Sequence, residues 1–180
     1  EELCREPEQA GCDLIVMGTT GAGGLMGRWF GSISSEVARR AACPVLLAPP
    51  QYDGRPFRNI VFASTLSPSE AGAASRAVAF GRHFGASVHF AHILPPRGQD
   101  RAGHMATYEE AASRADVPVS LTTIEHEDVL EGLNGYASGQ SADLMIMATT
   151  QRGFLADLFH RSLTRRMVFN TRIPLLVLHF

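Results

Sequence analysis

One segment of this chain occurs twice. Asp13-Leu14-Ile15-Val16-Met17-Gly18 opens an apolar run, a Gly/Thr loop and an amphipathic stretch follow, and Pro44-Val45-Leu46-Leu47 closes the unit. The same order returns at Asp143-Leu144-Met145-Ile146-Met147-Ala148 and ends at Pro174-Leu175-Leu176-Val177. From Asp13 to Asp143 and from Pro44 to Pro174 the step is the same, 130 residues. A step held without gaps through strand, loop and helix marks two copies of one domain. The copies part in the loop: the first keeps glycines that a phosphate can approach, and the second has lost them.

Each copy follows an α/β pattern. Leu14 to Met17 is a short, β-rich apolar run bounded by turn residues, as expected of a buried parallel strand. Ile33, Val37 and Ala41 recur every four residues and give one apolar helical face. Ser32 is the expected N-cap, Arg39 and Arg40 suit the C-terminal end, and Cys43-Pro44 stops the helix before strand Val45 to Ala48. Pro49 to Pro56 has linker composition. Beyond it the pattern predicts strands over 59–63, 87–94, 119–125, 144–148 and 175–178, with helices over 69–84, 107–114, 128–139 and 162–170. Such alternation argues for a doubly wound parallel sheet sandwiched by helices, with right-handed crossovers. The second copy has a full set of strands, whereas the first has its last two and is N-terminally incomplete. The expected division is 1–50 for the end of a first domain, 51–58 for a linker and 59–180 for a second domain. Glu1 to Ala10 is expected to be the tail of a helix entered partway.

Composition removes several classes of function. The net charge of −2 gives no electrostatic case for nucleic acid or an anionic membrane as partner. No apolar run approaches the roughly 20 residues that span a bilayer, and no secretory signal is visible, so a cytoplasmic location is expected. All 16 basic residues are Arg, which excludes a Walker lysine, a Schiff base and any other catalytic lysine. Cys4, Cys12 and Cys43 lack zinc spacing and read as reduced thiols.

The loop after Met17 carries the chemistry. Gly18 and Gly21 stand at the carboxyl end of the strand, where doubly wound folds bind ligands, and a glycine lets backbone N–H groups approach an anion. Gly31-Ser32 opens the next helix, whose free N–H groups and positive dipole end favour phosphate. A dinucleotide fingerprint fits worse, because Gly21-Ala22-Gly23 would need a small residue where Met26 stands. A nucleophile elbow is excluded, since the chain has no Gly-x-Ser-x-Gly.

Gly18-x2-Gly21-x9-Gly31-Ser32, preceded by Asp13 to Met17 and followed by Cys43-Pro44-Val45-Leu46-Leu47, resembles the universal stress proteins of the tandem kind, and the likeness covers nearly the whole chain. The resemblance implies a Rossmann-like fold, akin to the adenine nucleotide alpha hydrolases, with strand order 3-2-1-4-5. It implies domains paired through their last strands, within a chain or in a homodimer, so Val45 to Ala48 is expected antiparallel to Leu175 to Leu178. It also implies ATP, with Mg2+, as ligand: Gly18, Gly21, Gly31, Ser32 and the backbone of Ile33 would serve phosphate and ribose, with Met17 near the nucleoside. Thr20 stands where many members carry Arg or His. In the second copy Thr65 occupies the place of the family's adenine-contacting Asp, and Ala148, Gln151 and Arg161 replace Gly18, Gly21 and Gly31. The second copy is therefore expected to be degenerate.

The function implied is nucleotide-dependent stress regulation in which ATP is bound and at most slowly hydrolysed, since no general base is in evidence. The alternatives are a ligand-free dimerisation or adaptor module and a regulatory domain of a transporter or kinase. His89 and His92 lie three apart on a strand, face opposite ways and cannot share a metal. Glu125-His126-Glu127-Asp128 is expected to be a solvated loop and helix cap, and Arg161, Arg165 and Arg166 a solvated helix face.

Overall fold

A computed structural model describes residues 12–19, 32–96, 106–149 and 173–179. In chain order they form β1 (Ile15–Gly18), α1 (Ser32–Arg40), β2 (Val45–Ala48), β3 (Asn59–Ala63), a 3-10 turn (Pro68–Glu70) running into α2 (Ala71–Phe84), and β4 (Ser87–Leu94). There follow α3 (Ala106–Ser113), β5 (Val119–Glu125), α4 (Val129–Gly139), β6 (Leu144–Thr149) and β7 (Leu175–His179). The helix expected over 162–170 lies outside the described residues.

All these strands share one sheet, in the order β1-β2-β7-β6-β3-β4-β5. Numbered among themselves, β3 to β7 lie 3-2-1-4-5, and β2 and β1 extend that set to a seven-stranded sheet. Every neighbouring pair is parallel except β2 and β7, which run antiparallel with Val45 opposite Val177, Leu46 opposite Leu176 and Leu47 opposite Leu175.

The repeat reappears as geometry. In β1 and β2, Ile15 pairs with Val45, Val16 with Leu46 and Met17 with Leu47. In β6 and β7, Met145 pairs with Leu175, Ile146 with Leu176 and Met147 with Val177, each the residue 130 further along. The bond that starts each ladder is also shared: Ile15 N–H to the Pro44 carbonyl at 2.9 Å and Met145 N–H to the Pro174 carbonyl at 3.0 Å. Leu46 faces its own repeat equivalent, Leu176, so the antiparallel pair is locally twofold about that point.

Helices cover both faces. Against one lie α2 and α3, where Ala73, Ala74, Ala77 and Ala111 pack on Phe62, Phe90, Leu144 and Ile146. Small residues bring α2 close: a Cβ at Gly81 would stand 2.4 Å from Val88 Cγ2. Gly85, at φ +62°, ends α2 in the left-handed conformation that glycine adopts cheaply. Against the other face lie α1 and α4, with Val37, Ala38, Ala41, Leu133 and Ala137 over Val45, Leu47, Met145 and Val177. Asp128 caps α4, its Oδ1 accepting from Leu130 N–H at 2.8 Å and Glu131 N–H at 3.1 Å. The described part of α1 begins at Ser32, the expected cap, and the residue before it lies outside the described residues.

Candidate functional site

Two parallel strands joined by a helix force that helix to run back along them. The N-terminus of α1 therefore lies at the carboxyl end of β1, which is where the glycine motif was expected to act. Met17 is half-buried and packs against the α1 layer. Gly18, next along, is exposed; no described atom lies within 4 Å of where a Cβ would stand, and its φ is outside the left-handed range. Neither turn geometry nor packing among the described residues explains a glycine there. Thr19 continues the ladder by donating its N–H to the Ala48 carbonyl at 3.1 Å. Its side chain is 4% exposed, and its Oγ1 has no hydrogen-bond partner among the described residues. The helical backbone begins at Ser32 and Ile33, and no acidic residue occupies the first turn of α1. Gly21 and Gly31 lie outside the described residues, as do Gln151 and Arg161.

In the second half, the counterpart of this end follows β6 and lies outside the described residues, but the switch point of the sheet is described. Strand order reverses direction between β3 and β6, which makes the crevice at their carboxyl ends the switch point of this sheet. The loop leaving β3 closes on a buried carboxylate. Glu70, 4% exposed, accepts from Ser64 Oγ at 2.9 Å, from Thr65 Oγ1 at 2.7 Å and from Thr65 N–H at 3.0 Å. Ser64 Oγ in turn accepts from Leu66 N–H at 3.0 Å, while His92 Nδ1 lies 2.9 Å from the Ser64 carbonyl oxygen. Leu66 holds φ +56°, a left-handed conformation that is strained for a non-glycine residue. Thr65 thus donates through both its N–H and its hydroxyl to Glu70.

Sequence reasoning missed Glu70, and it read His92 only as a histidine that cannot share a metal with His89. The available signal was an acidic residue following Ser64, Thr65, Ser67 and Ser69, although those residues read equally well as an ordinary helix start. His89 and His92 diverge as expected: His89 Nδ1 lies 2.8 Å from Ser120 Oγ, and burial lowers the pKa of His89. No group of three metal-ligating side chains occurs among the described residues. Cys12 and Cys43 are free thiols; burial first, and the neighbouring Cys12 second, raise the pKa of Cys43. No helix among the described residues is long and apolar enough to cross a membrane.

Comparison with known proteins agrees with this architecture. A universal stress protein from Archaeoglobus fulgidus DSM 4304 superposes with a TM-score of 0.74 at 16% identity, over 99% of this chain and 65% of that one. A functionally unknown protein from Pseudomonas aeruginosa PAO1 gives 0.64 at 18% identity, over 98% of this chain and 66% of its own. The chain thus spans about two thirds of the length of these relatives. A universal stress protein in complex with cAMP gives 0.54 at 15% identity, over 69% of this chain and 99% of that one. No curated protein sequence matches the chain. The model of the universal stress protein family matches residues 1–49 and 56–179, nearly the full length on either side of the Pro-rich connection, and the chain belongs to that family.

Proposed function

We propose that this protein binds an adenine nucleotide at the carboxyl end of β1 and acts as a nucleotide-dependent regulator in the stress response. The observation that carries this reading is Gly18, a glycine that neither its backbone angle nor its described neighbours require. An exposed backbone at a parallel strand's carboxyl end, the end at which a helix N-terminus also lies, is the arrangement an anion can use. Met17, Gly18, Ser32 and Ile33 stand at that end; Gly21 and Gly31 complete the motif in sequence. The similarity to a universal stress protein in complex with cAMP supports the same ligand class. ATP with Mg2+ is the proposed ligand, bound without rapid turnover, in the cytoplasm.

The same proposal assigns residues 1–50 to the end of a first domain, 51–58 to a linker and 59–180 to a second domain whose own site is lost. Calorimetric titration with Mg-ATP tests it: one nucleotide per chain is expected, and Gly18→Val should abolish binding while leaving the fold intact. Absence of binding by a folded chain would favour the adaptor reading. A specific feature supports that second reading: on the outer strand β1, Leu14 is 39% and Val16 62% exposed, an apolar edge a partner could cover.

A further inference from the structure

We propose that the Thr19 hydroxyl is itself a ligand to the phosphate of the bound nucleotide. This rests on the nucleotide reading above but adds a residue that the glycine motif does not contain. Side chains alternate along a strand, and the Thr19 N–H bond to Ala48 extends the β1 ladder through residue 19. Thr19 therefore shares a face with Ile15 and Met17, which pack on the layer containing Val37, Ala38 and Ala41 of α1. At the carboxyl end of β1, the first turn of α1 brings the positive end of its dipole, with no acidic side chain in that turn.

Thr19 is 4% exposed, and its Oγ1 has no partner among the described residues. Buried hydroxyls are nearly always hydrogen-bonded, because water is no longer there to satisfy them. Thr19 had closer outlets: a valine of the same shape would fill the space, and a local backbone carbonyl could accept its proton. An orphaned hydroxyl on the face that carries a positive helix end makes sense if an anionic oxygen completes it. The hydroxyl donates to that oxygen.

The test is calorimetric titration of AMP into the wild-type chain, Thr19→Ser and Thr19→Val, with thermal melts of each ligand-free protein. Loss of a hydrogen bond to a charged phosphate weakens binding by about 10-fold or more. Thr19→Val should therefore bind AMP about 10-fold more weakly, and Thr19→Ser nearly as well as wild type. Without ligand, Thr19→Val should melt at or above the wild-type temperature, because it removes an unsatisfied buried group. Wild-type affinity in Thr19→Val would overturn this inference and leave the nucleotide reading standing. A ligand-free melt well below wild type would overturn it too, since the hydroxyl would then have a partner within the protein. A wild-type chain that binds no AMP would overturn the nucleotide reading and the Thr19 contact with it.

Discussion

Truncating Leu46 or Leu176 to alanine tests whether the two halves form one cooperative unit. These residues face each other across the β2–β7 ladder, at 9% and 1% exposure, within one apolar layer. Truncating a buried leucine costs about 2–5 kcal/mol, the transfer free energy of the lost carbons plus the cavity left behind. Leu176, held between β6 and β2, belongs in the middle of that range, about 3–4 kcal/mol; Leu46, slightly more exposed, at about 2–3 kcal/mol. Because the two side chains adjoin, the double variant leaves one merged cavity that can collapse further. Its cost should fall short of the sum by about 1 kcal/mol. Each loss is a large part of a total stability of roughly 5–15 kcal/mol. Urea unfolding followed by circular dichroism, with the wild type and all three variants, reads both terms. A single transition is expected throughout. If Leu46→Ala changed stability by less than about 0.5 kcal/mol while Leu176→Ala cost its full amount, β2 would not be docked on β7 in solution. Strict additivity would likewise deny the contact.

Two further outcomes are expected. Asp143 Oδ2 accepts from Arg58 N–H at 2.9 Å and Asn59 N–H at 3.1 Å, whereas its repeat equivalent Asp13 is exposed. In urea melts Asp143→Ala should cost about 1–3 kcal/mol and Asp13→Ala less than about 0.5, and equal costs would refute the assigned role of the Asp143 bonds. His179 links β7 to α1, its Nε2 lying 2.8 Å from the Ala38 carbonyl oxygen; burial lowers its pKa, although the Ala38 and Cys43 carbonyls act the other way. The unfolded chain therefore takes the proton first, so this stabilisation is whole above the ordinary value of 6.5 and is lost as pH falls through the lower folded value. Denaturant midpoints should drop between about pH 7.5 and pH 5, and His179→Gln should shrink that drop without abolishing it, because His89 is shifted in the same direction. An unchanged slope in His179→Gln would remove His179 from the account.

Strands were legible in the sequence because a buried parallel strand is written as a short apolar run between turn residues, and the repeat supplied a second reading of the same signal. The 130-residue step carries over to the pairing partners of β1 and β6 residue by residue. The antiparallel meeting of Val45 to Leu47 with Leu175 to Val177 was different. Nothing in either run specifies direction, and that expectation came from resemblance to a family. The start of α2 was only half legible: Ser67 and Pro68 mark a turn, but nothing in the run shows that Glu70, at the end of the 3-10 turn, reaches back to Thr65. Buried polar contacts of this kind leave no periodicity in the chain. The Thr19 hydroxyl was hidden for the same reason, since a threonine after a strand reads as a solvated loop residue until its burial is known.

Glu70 and Thr19 mark two strand ends of one sheet that treat their polar groups in opposite ways. The two are not repeat equivalents, since the counterpart of β1 is β6, but each lies at the carboxyl end of a parallel strand. Beyond β3, the donors of Ser64 and Thr65 are answered by an internal carboxylate. A phosphate entering that crevice would meet acceptor oxygens whose donors are already taken, and would have to displace those hydrogen bonds. Beyond β1 the polar group is left unanswered among the described residues, and the nearest backbone is bare glycine. Under the function proposed above, the β1 end is therefore the one expected to take an anion, at one per chain.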